Sequence, residues 1–187
     1  MDAITALHQR VSSPRLTAPA PSEEQLNVLF KAAGRAADHG NLRPWRFLVI
    51  EGEGLMRLGD VFVKAATAKN PAITQIEIER CMSMPQRAPM IILAIAKCQS
   101  NPKVPAIEQI IAAGAATQNL LNAAFALGIG AVWRTGDMAY DPIVKQEVGL
   151  AEGEELIGFI YIGTATVLPH QPREQNPQDF FSAWPKE

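Results

Sequence analysis

The chain has 187 residues, 48% of them hydrophobic, and a formal net charge of −2, which suffices for one well-buried core and is too short for two ordinary domains. No run of lysine or arginine gives nucleic acid an electrostatic footing, and the two cysteines (Cys81, Cys98) and three histidines (His8, His39, His170) are too scattered for a disulfide framework or a metal site. Met1-Asp2-Ala3 opens without a basic or apolar signal region, so one domain spanning residues 1–187, in a reducing cytoplasm and without a membrane anchor, is expected.

Asp2 to Gln9 reads as a short helix with Ile4 and Leu7 turned inward. It runs into Arg10-Val11-Ser12-Ser13-Pro14-Arg15, where two arginines and two hydroxyls are held by a proline. Such a turn offers anion donors that suit a phosphate; its plainer reading is a solvated turn with a serine cap. Ser22 and Gln25 form a capping box for a helix to about Ala37, whose inner face is Leu26, Leu29, Phe30 and Ala33. Arg35 and His39 then fall on one side of the helix end, either as a cap for its dipole or as ligand contacts.

Trp45-Arg46-Phe47-Leu48-Val49-Ile50 is a strand by composition, with Trp45, Phe47 and Val49 on one face. After the turn Glu51-Gly52-Glu53-Gly54, a helix is expected from Leu55 to about Lys69. A second helical piece follows Asn70-Pro71, from Ile73 to Met84, and this stretch is a candidate lid. Met90 to Ala96 is a continuous apolar run rich in isoleucine, hence a buried strand central in the sheet.

Pro105 to Gly136 organises the rest. Between Ala106 and Leu127 only Glu108 is charged, so the segment is a helix apolar nearly all round, opened by Pro105 and closed by Gly128 in a left-handed cap. Its polar stripe is Glu108, Gln118, Asn119 and Asn122. Its many alanines allow another backbone to come close, either inside one chain or across a symmetric dimer, and its amides argue against a membrane span. A short strand at 130–133, a small helix capped by Asp141-Pro142 and closed by Gly149, and a last strand at 156–162 complete the pattern. Alternating strands and long helices place the fold as α+β or α/β, with about four strands under helices. No P-loop, dinucleotide fingerprint or nucleophile elbow is present. Trp133-Arg134-Thr135-Gly136 remains, offering a flat apolar surface, a fixed charge and a donor to a planar heterocycle, or alternatively a core tryptophan beside a surface arginine.

Five of these motifs, in order, resemble the FMN-dependent nitroreductase family over nearly the whole chain. They are Arg10-Val11-Ser12, Pro44-Trp45-x-Phe47, Arg87-Ala88-Pro89 before a buried strand, the alanine-rich helix ending at Gly128-Ile129-Gly130, and Tyr161-Ile162-Gly163. The length, Arg35 with Asp38-His39, Glu51 to Gly54, Ala96-Lys97-Cys98 and Trp133-Arg134 are most similar to its minimal, single-domain branch of small bacterial NAD(P)H nitroreductases. The resemblance implies an α+β nitroreductase-like fold with a mostly antiparallel sheet of four to five strands and a long helix at a dimer interface. It also implies two FMN sites, each built from both subunits.

Carried over by position, Arg10, Val11 and Ser12 hold the ribityl-phosphate end, Arg35 and His39 come from the other subunit, and Trp133, Arg134 and Thr135 line the flavin. Ala123, Ala124, Phe125, Ala126, Leu127 and Gly128 contribute to the NADH or NADPH site, and no residue is assigned a catalytic role. The implied reaction passes electrons from NAD(P)H through FMN to a nitroaromatic, quinone or related small acceptor by a ping-pong sequence. A flavin-binding protein with little turnover, or a relative acting on another acceptor or on flavin itself, is the alternative. Two positions depart from the family pattern: Pro14 stands where many relatives have a basic side chain, and Arg43 where they usually have glutamine before Pro-Trp.

Overall fold

The computed structural model describes residues 1–167 and 170–184. The helices are α1 (Ala3–Gln9), α2 (Glu23–Ala33), α3 (Glu53–Lys69), α4 (Gln75–Ser83), α5 (Ala106–Ala126) and α6 (Pro142–Glu147). The strands are β1 (Leu16–Thr17), β2 (Trp45–Glu51), β3 (Met90–Lys97), β4 (Gly130–Arg134) and β5 (Glu154–Ala165). The class is α+β: β2 pairs with β3, β3 with β5 and β5 with β4, while β1 pairs with the C-terminal end of β5, all antiparallel.

The sheet works on both faces, which explains why its central strand shows no polar alternation. Ile91, Leu93 and Ile95 of β3 join Leu55, Leu58, Phe62, Val132, Phe159 and Tyr161 under α3, and Phe62 meets Phe159 edge to face at 5.4 Å. Met90 and Ile92 join Leu29, Ala33, Ala116, Leu120, Ala124, Ile160 and Ile162 under α2 and α5. Successive residues of a strand point to opposite faces, so a strand covered on both sides must be apolar throughout. The edge strand β2 also feeds both layers, Trp45 and Phe47 the α2/α5 layer and Leu48 and Ile50 the α3 layer, while keeping the charged Arg46 among them. Val49 falls outside the expected set, being largely exposed near the end of the strand.

Several expected boundaries shift. The capping box of α2 is present, Ser22 accepting from Gln25 N and Gln25 from Ser22 N, but the helix stops at Ala33 with Gly34 as its cap, short of Ala37. Arg35 and His39 therefore do not share a helix side. In α1, Ala6 faces inward while Ile4 and Leu7 are 60% and 57% exposed, the reverse of the expectation, because α1 lies against α5 through its small side. The second helical piece starts at Gln75, capped by Thr74 through Glu77, and packs on α3 where Gly59 lies close to the Met82 backbone. Gly128 closes α5 with φ 73° and Gly149 follows α6 with φ 74°, as expected of glycines past a helix end.

One bidentate pair ties the sheet edge to the start of β5. Arg46 donates from Nε to Glu154 Oε1 at 2.7 Å and from Nη2 to Oε2 at 2.6 Å, and Nη2 also reaches Gly149 O at 3.0 Å. Glu154 is buried, and the hydrogen bond from Arg46 holds its carboxyl below the usual carboxylate range. No described helix is long and apolar enough to cross a membrane.

Candidate functional site

The N-terminal turn is sewn to the sheet by its backbone. Ser13 N donates to Ala131 O at 2.9 Å, and Thr166 N donates to Arg15 O at 3.1 Å. Val11 and Ser13 are buried and act as anchors, leaving Arg10 half-buried and Ser12 and Arg15 exposed. Among the described residues, the side chains of Arg10, Ser12 and Arg15 make no hydrogen bond or ion pair, so their donors stay available to a ligand. A cavity of about 460 Å³ opens beside the turn, lined by Ser13, Phe125, Gly128, Gly130, Thr164 and Thr166.

β4 runs out of this region and presents its residues to opposite faces. Trp133 leans to the α2/α5 layer and donates from Nε1 to Ile157 O at 3.1 Å. That carbonyl is available because β5 carries an extra residue there: Gly158 pairs with Ala94 but Leu156 pairs with Ile95, leaving Ile157 in a bulge. A Cβ on Gly158 would stand 2.3 Å from Trp133 Nε1, so only glycine lets the indole lie where it does. Arg134 points the other way, its guanidinium 5.7 Å from the centre of the Tyr161 ring. Trp133 and Arg134 therefore do not line one surface with their side chains; a ligand stacked near Trp133 meets Arg134 through its main chain. Thr135 and Gly136 are exposed at the strand's end.

The candidate nicotinamide segment is the last turn of α5 and its cap. Ala124 is fully buried in the core, whereas Ala126, Leu127 and Gly128 are exposed, so only part of the segment has accessible side chains.

Arg35 and His39 lie elsewhere. His39 Nδ1 is 2.7 Å from Glu108 Oε2 in the first turn of α5, and a carboxylate there is favoured by the helix dipole. Arg35, Asp38, Asn41, Arg43 and Trp45 line a cavity of about 320 Å³. This loop is wound tightly: Asp38 Oδ2 accepts from Arg43 N at 2.6 Å, and Asn41 and Arg43 have φ of 52° and 49°, a region that L residues enter at a cost. From Glu108, the partner of His39, to Phe125, beside the Ser13 turn, the rise of α5 is roughly 26 Å at 1.5 Å per residue, so one chain does not bring Arg10 and His39 to a common ligand.

The Nitroreductase family model matches residues 7–164. The chain belongs to that family. As a nitroreductase-family protein it is 42% identical over 164 residues, 88% of either chain, to the Putative NAD(P)H nitroreductase YdjA of Escherichia coli strain K12. Its fold is similar to that of a nitroreductase-like family protein from Bacillus cereus, with a TM-score of 0.81 at 22% identity, covering 100% of this chain and 97% of the other. A putative nitroreductase from Desulfovibrio desulfuricans, solved in complex with FMN, is similar over 99% of both chains, with a TM-score of 0.72 at 25% identity.

Proximity in this nitroreductase-family fold adds two residues that the linear motifs did not single out as site groups. Arg80 on α4 and Arg87 before β3 join Arg134 around a cavity of about 490 Å³. Burial pushes the Tyr161 hydroxyl up from its ordinary pKa, and the charges of Arg87 and Arg134 partly offset this. The only hint in the chain was an arginine just before the Ala88-Pro89 step into the buried strand. No group of His, Cys, Asp and Glu suited to a metal occurs among the described residues.

Proposed function

We propose that this chain is a single-domain, homodimeric FMN-dependent oxidoreductase that passes electrons from NADH or NADPH to a nitroaromatic, quinone or related small acceptor. Membership of the Nitroreductase family and the FMN complex of the Desulfovibrio relative support the cofactor. The residues at hand also fit it. Among the described residues Arg10 and Ser12 have unpartnered donors for a terminal phosphate, a cavity of about 460 Å³ adjoins their turn at Ser13, and Trp133 is locked as a flat wall by its bond to Ile157 O.

One observation carries the shared-site reading: His39 sits at the Glu108 end of α5, whereas the turn that holds Arg10 lies by Phe125 and Gly128 at the other end. A two-fold axis pairing α5 antiparallel with its copy brings the Arg35 loop of one subunit to the Arg10 turn of the other. The helix has the surface for it, because Ile107 and Ile111 are 60% and 63% exposed, and a Cβ at Gly114 would meet nothing within 4 Å.

FMN, when bound, supplies hydride acceptance from the nicotinamide and electron delivery to the acceptor. The protein's part is to orient and to stabilise charge. Arg10 and Ser12 anchor the phosphate end, Trp133 sets the plane, and the main chain of Arg134 and Thr135 offers polar groups to the ring edge. Ala126 to Gly128 leave the end of α5 open to the donor. No general acid or base is required of the chain.

The test has two parts. The purified protein should yield about one FMN and no FAD per chain, and stopped-flow mixing with NADH or NADPH should bleach the flavin band within a catalytic turnover. For the shared site, Arg10→Ala and Arg35→Ala chains carrying different tags are co-purified as mixed dimers. A two-fold site shared between subunits gives one doubly damaged and one intact site, so about half of the sites should retain FMN. Zero recovery in dimers shown to be mixed would return Arg35 and His39 to a purely structural role.

A further inference from the structure

The cavity between α4, the Asp137 turn and the outer face of β4 and β5 receives the Arg134 side chain, which the proposed reaction does not use. Its floor is apolar and aromatic, made by Phe62, Met84, Phe159 and Tyr161, and its rim holds three guanidinium groups, those of Arg80, Arg87 and Arg134. The acidic groups nearby offset them only in part: Glu77, held low chiefly by its bonds from Thr74, also feels the charge of Arg80. Asp137, which also lines the cavity, is 3.2 Å from Lys69 Nζ, and Glu77 lies one helical turn from Arg80 without an ion pair. Arg134 Nε is buried with no hydrogen-bond partner, the one such side-chain atom among the described residues. An unpaired buried donor on a charged group is costly, and an anion among the three guanidinium groups would supply the acceptor it lacks. Guanidinium forks match a planar carboxylate, and the aromatic floor matches a flat ring.

We propose that this pocket is a binding site for a small aromatic carboxylate, its carboxylate held by Arg87 and Arg134 and its ring lying on Phe62 and Tyr161. It opens on the α3/α4 face of the sheet, away from the Trp133 ring, and shares with the proposed flavin site only the end of β4 at Arg134 and Thr135, which serve that site through their main chain.

The probe is benzoate, with benzamide as its neutral isostere, added to the protein as purified with its flavin. Calorimetry should give saturable benzoate binding that benzamide does not reproduce. Arg87→Gln should weaken benzoate about ten- to hundredfold, the loss of a charge-assisted pair, while leaving bound FMN unchanged. Arg87→Lys keeps the charge but not the fork, and should bind benzoate less well than wild type if the glutamine variant does not fold. Methyl NMR signals of Met84 and Met138 should shift on titration by the ring current, with Met56 unmoved. Three results overturn the proposal: no saturable binding at tens of millimolar, equal affinity in folded Arg87 variants, or release of FMN by benzoate, which would make the pocket part of the flavin site.

Discussion

Adding one methyl group at Gly158 tests whether the bulge in β5 sets the plane of Trp133. In Gly158→Ala the new Cβ would stand 2.3 Å from Trp133 Nε1, 2.7 Å from its Cδ1 and 2.9 Å from the carbonyl oxygen of Arg134. The indole can swing but the β4 backbone cannot, so the ring must leave its seat and give up the bond to Ile157 O. Overpacking of this kind costs about 1–3 kcal/mol, and the lost hydrogen bond adds about 0.5–1.5 kcal/mol. Together these amount to about 1.5–4.5 kcal/mol, below the 5–15 kcal/mol typical of a domain, so the chain should stay folded. For a chain of this size that is a fall in Tm of roughly 5–15 °C, read by scanning calorimetry. FMN affinity, titrated at a temperature where both proteins are fully folded, should drop more than tenfold because the wall has turned. Gly149→Ala is the control: φ is 74° there and a Cβ meets nothing within 4 Å, so it should cost only about 1 kcal/mol of backbone strain and spare the flavin. Unchanged Tm and flavin affinity in Gly158→Ala would refute the link between bulge and site.

Arg10→Ala should weaken FMN binding about ten- to hundredfold with little effect on the unfolding midpoint, since the side chain has no partner among the described residues; fluorescence titration with FMN reads it. Gly114→Ala should stabilise an isolated helix by about 0.5–1 kcal/mol, but should instead loosen a dimer in which two α5 backbones meet there, and Ile111→Glu should drive sedimentation toward monomer. Trp133→Ala should lose flavin while Arg134→Met keeps it, as main-chain contact requires; equal losses measured by bound FMN per chain would reverse that division. Glu154 has a lowered folded pKa, chiefly through its hydrogen bond from Arg46, so it stabilises the fold above the unfolded carboxylate value of about 4.3 and stops doing so as pH falls through the lower folded value. Glu154→Gln should cost about 2–3 kcal/mol at pH 7, less than a fully buried pair because Arg46 is 29% exposed, and urea midpoints should depend less on pH below about 4.

Where one covalent period decides a feature, the chain was readable. The capping box at Ser22 and the glycines after α5 and α6 are local chemistry, and the unbroken apolar run of β3 needs only the two-face argument. Errors arose where partners remote in sequence decide. Nothing local announces that α2 ends at Gly34, because the following alanines favour helix; Asp38 binding Arg43 N and the left-handed Asn41 pull the loop away. Ile4 and Leu7 read as inward on hydrophobicity alone, yet the small Ala6 is what fits against α5. β1 is two residues long and exists only because β5 offers it a partner. Glu154, an ordinary acidic residue in the sequence, became legible only once β2 placed Arg46 beside it.

The Trp133-Arg134-Thr135 motif shows the same limit at the site itself. As a run of three it suggests one recognition surface, but period-two geometry in β4 sends neighbours to opposite layers. Trp133 follows Ile160 to the α2/α5 side, and Arg134 follows Phe159 and Tyr161 to the α3 side. One edge strand thus presents two different surfaces: the flat Trp133 ring on the face of α2 and α5, and the Arg134 guanidinium on the face closed by α3 and α4. That separation is what allows the flavin reading and the anion pocket to be tested independently. A side chain removed on one face leaves the other face's contacts intact, provided that the β4 backbone between them does not move.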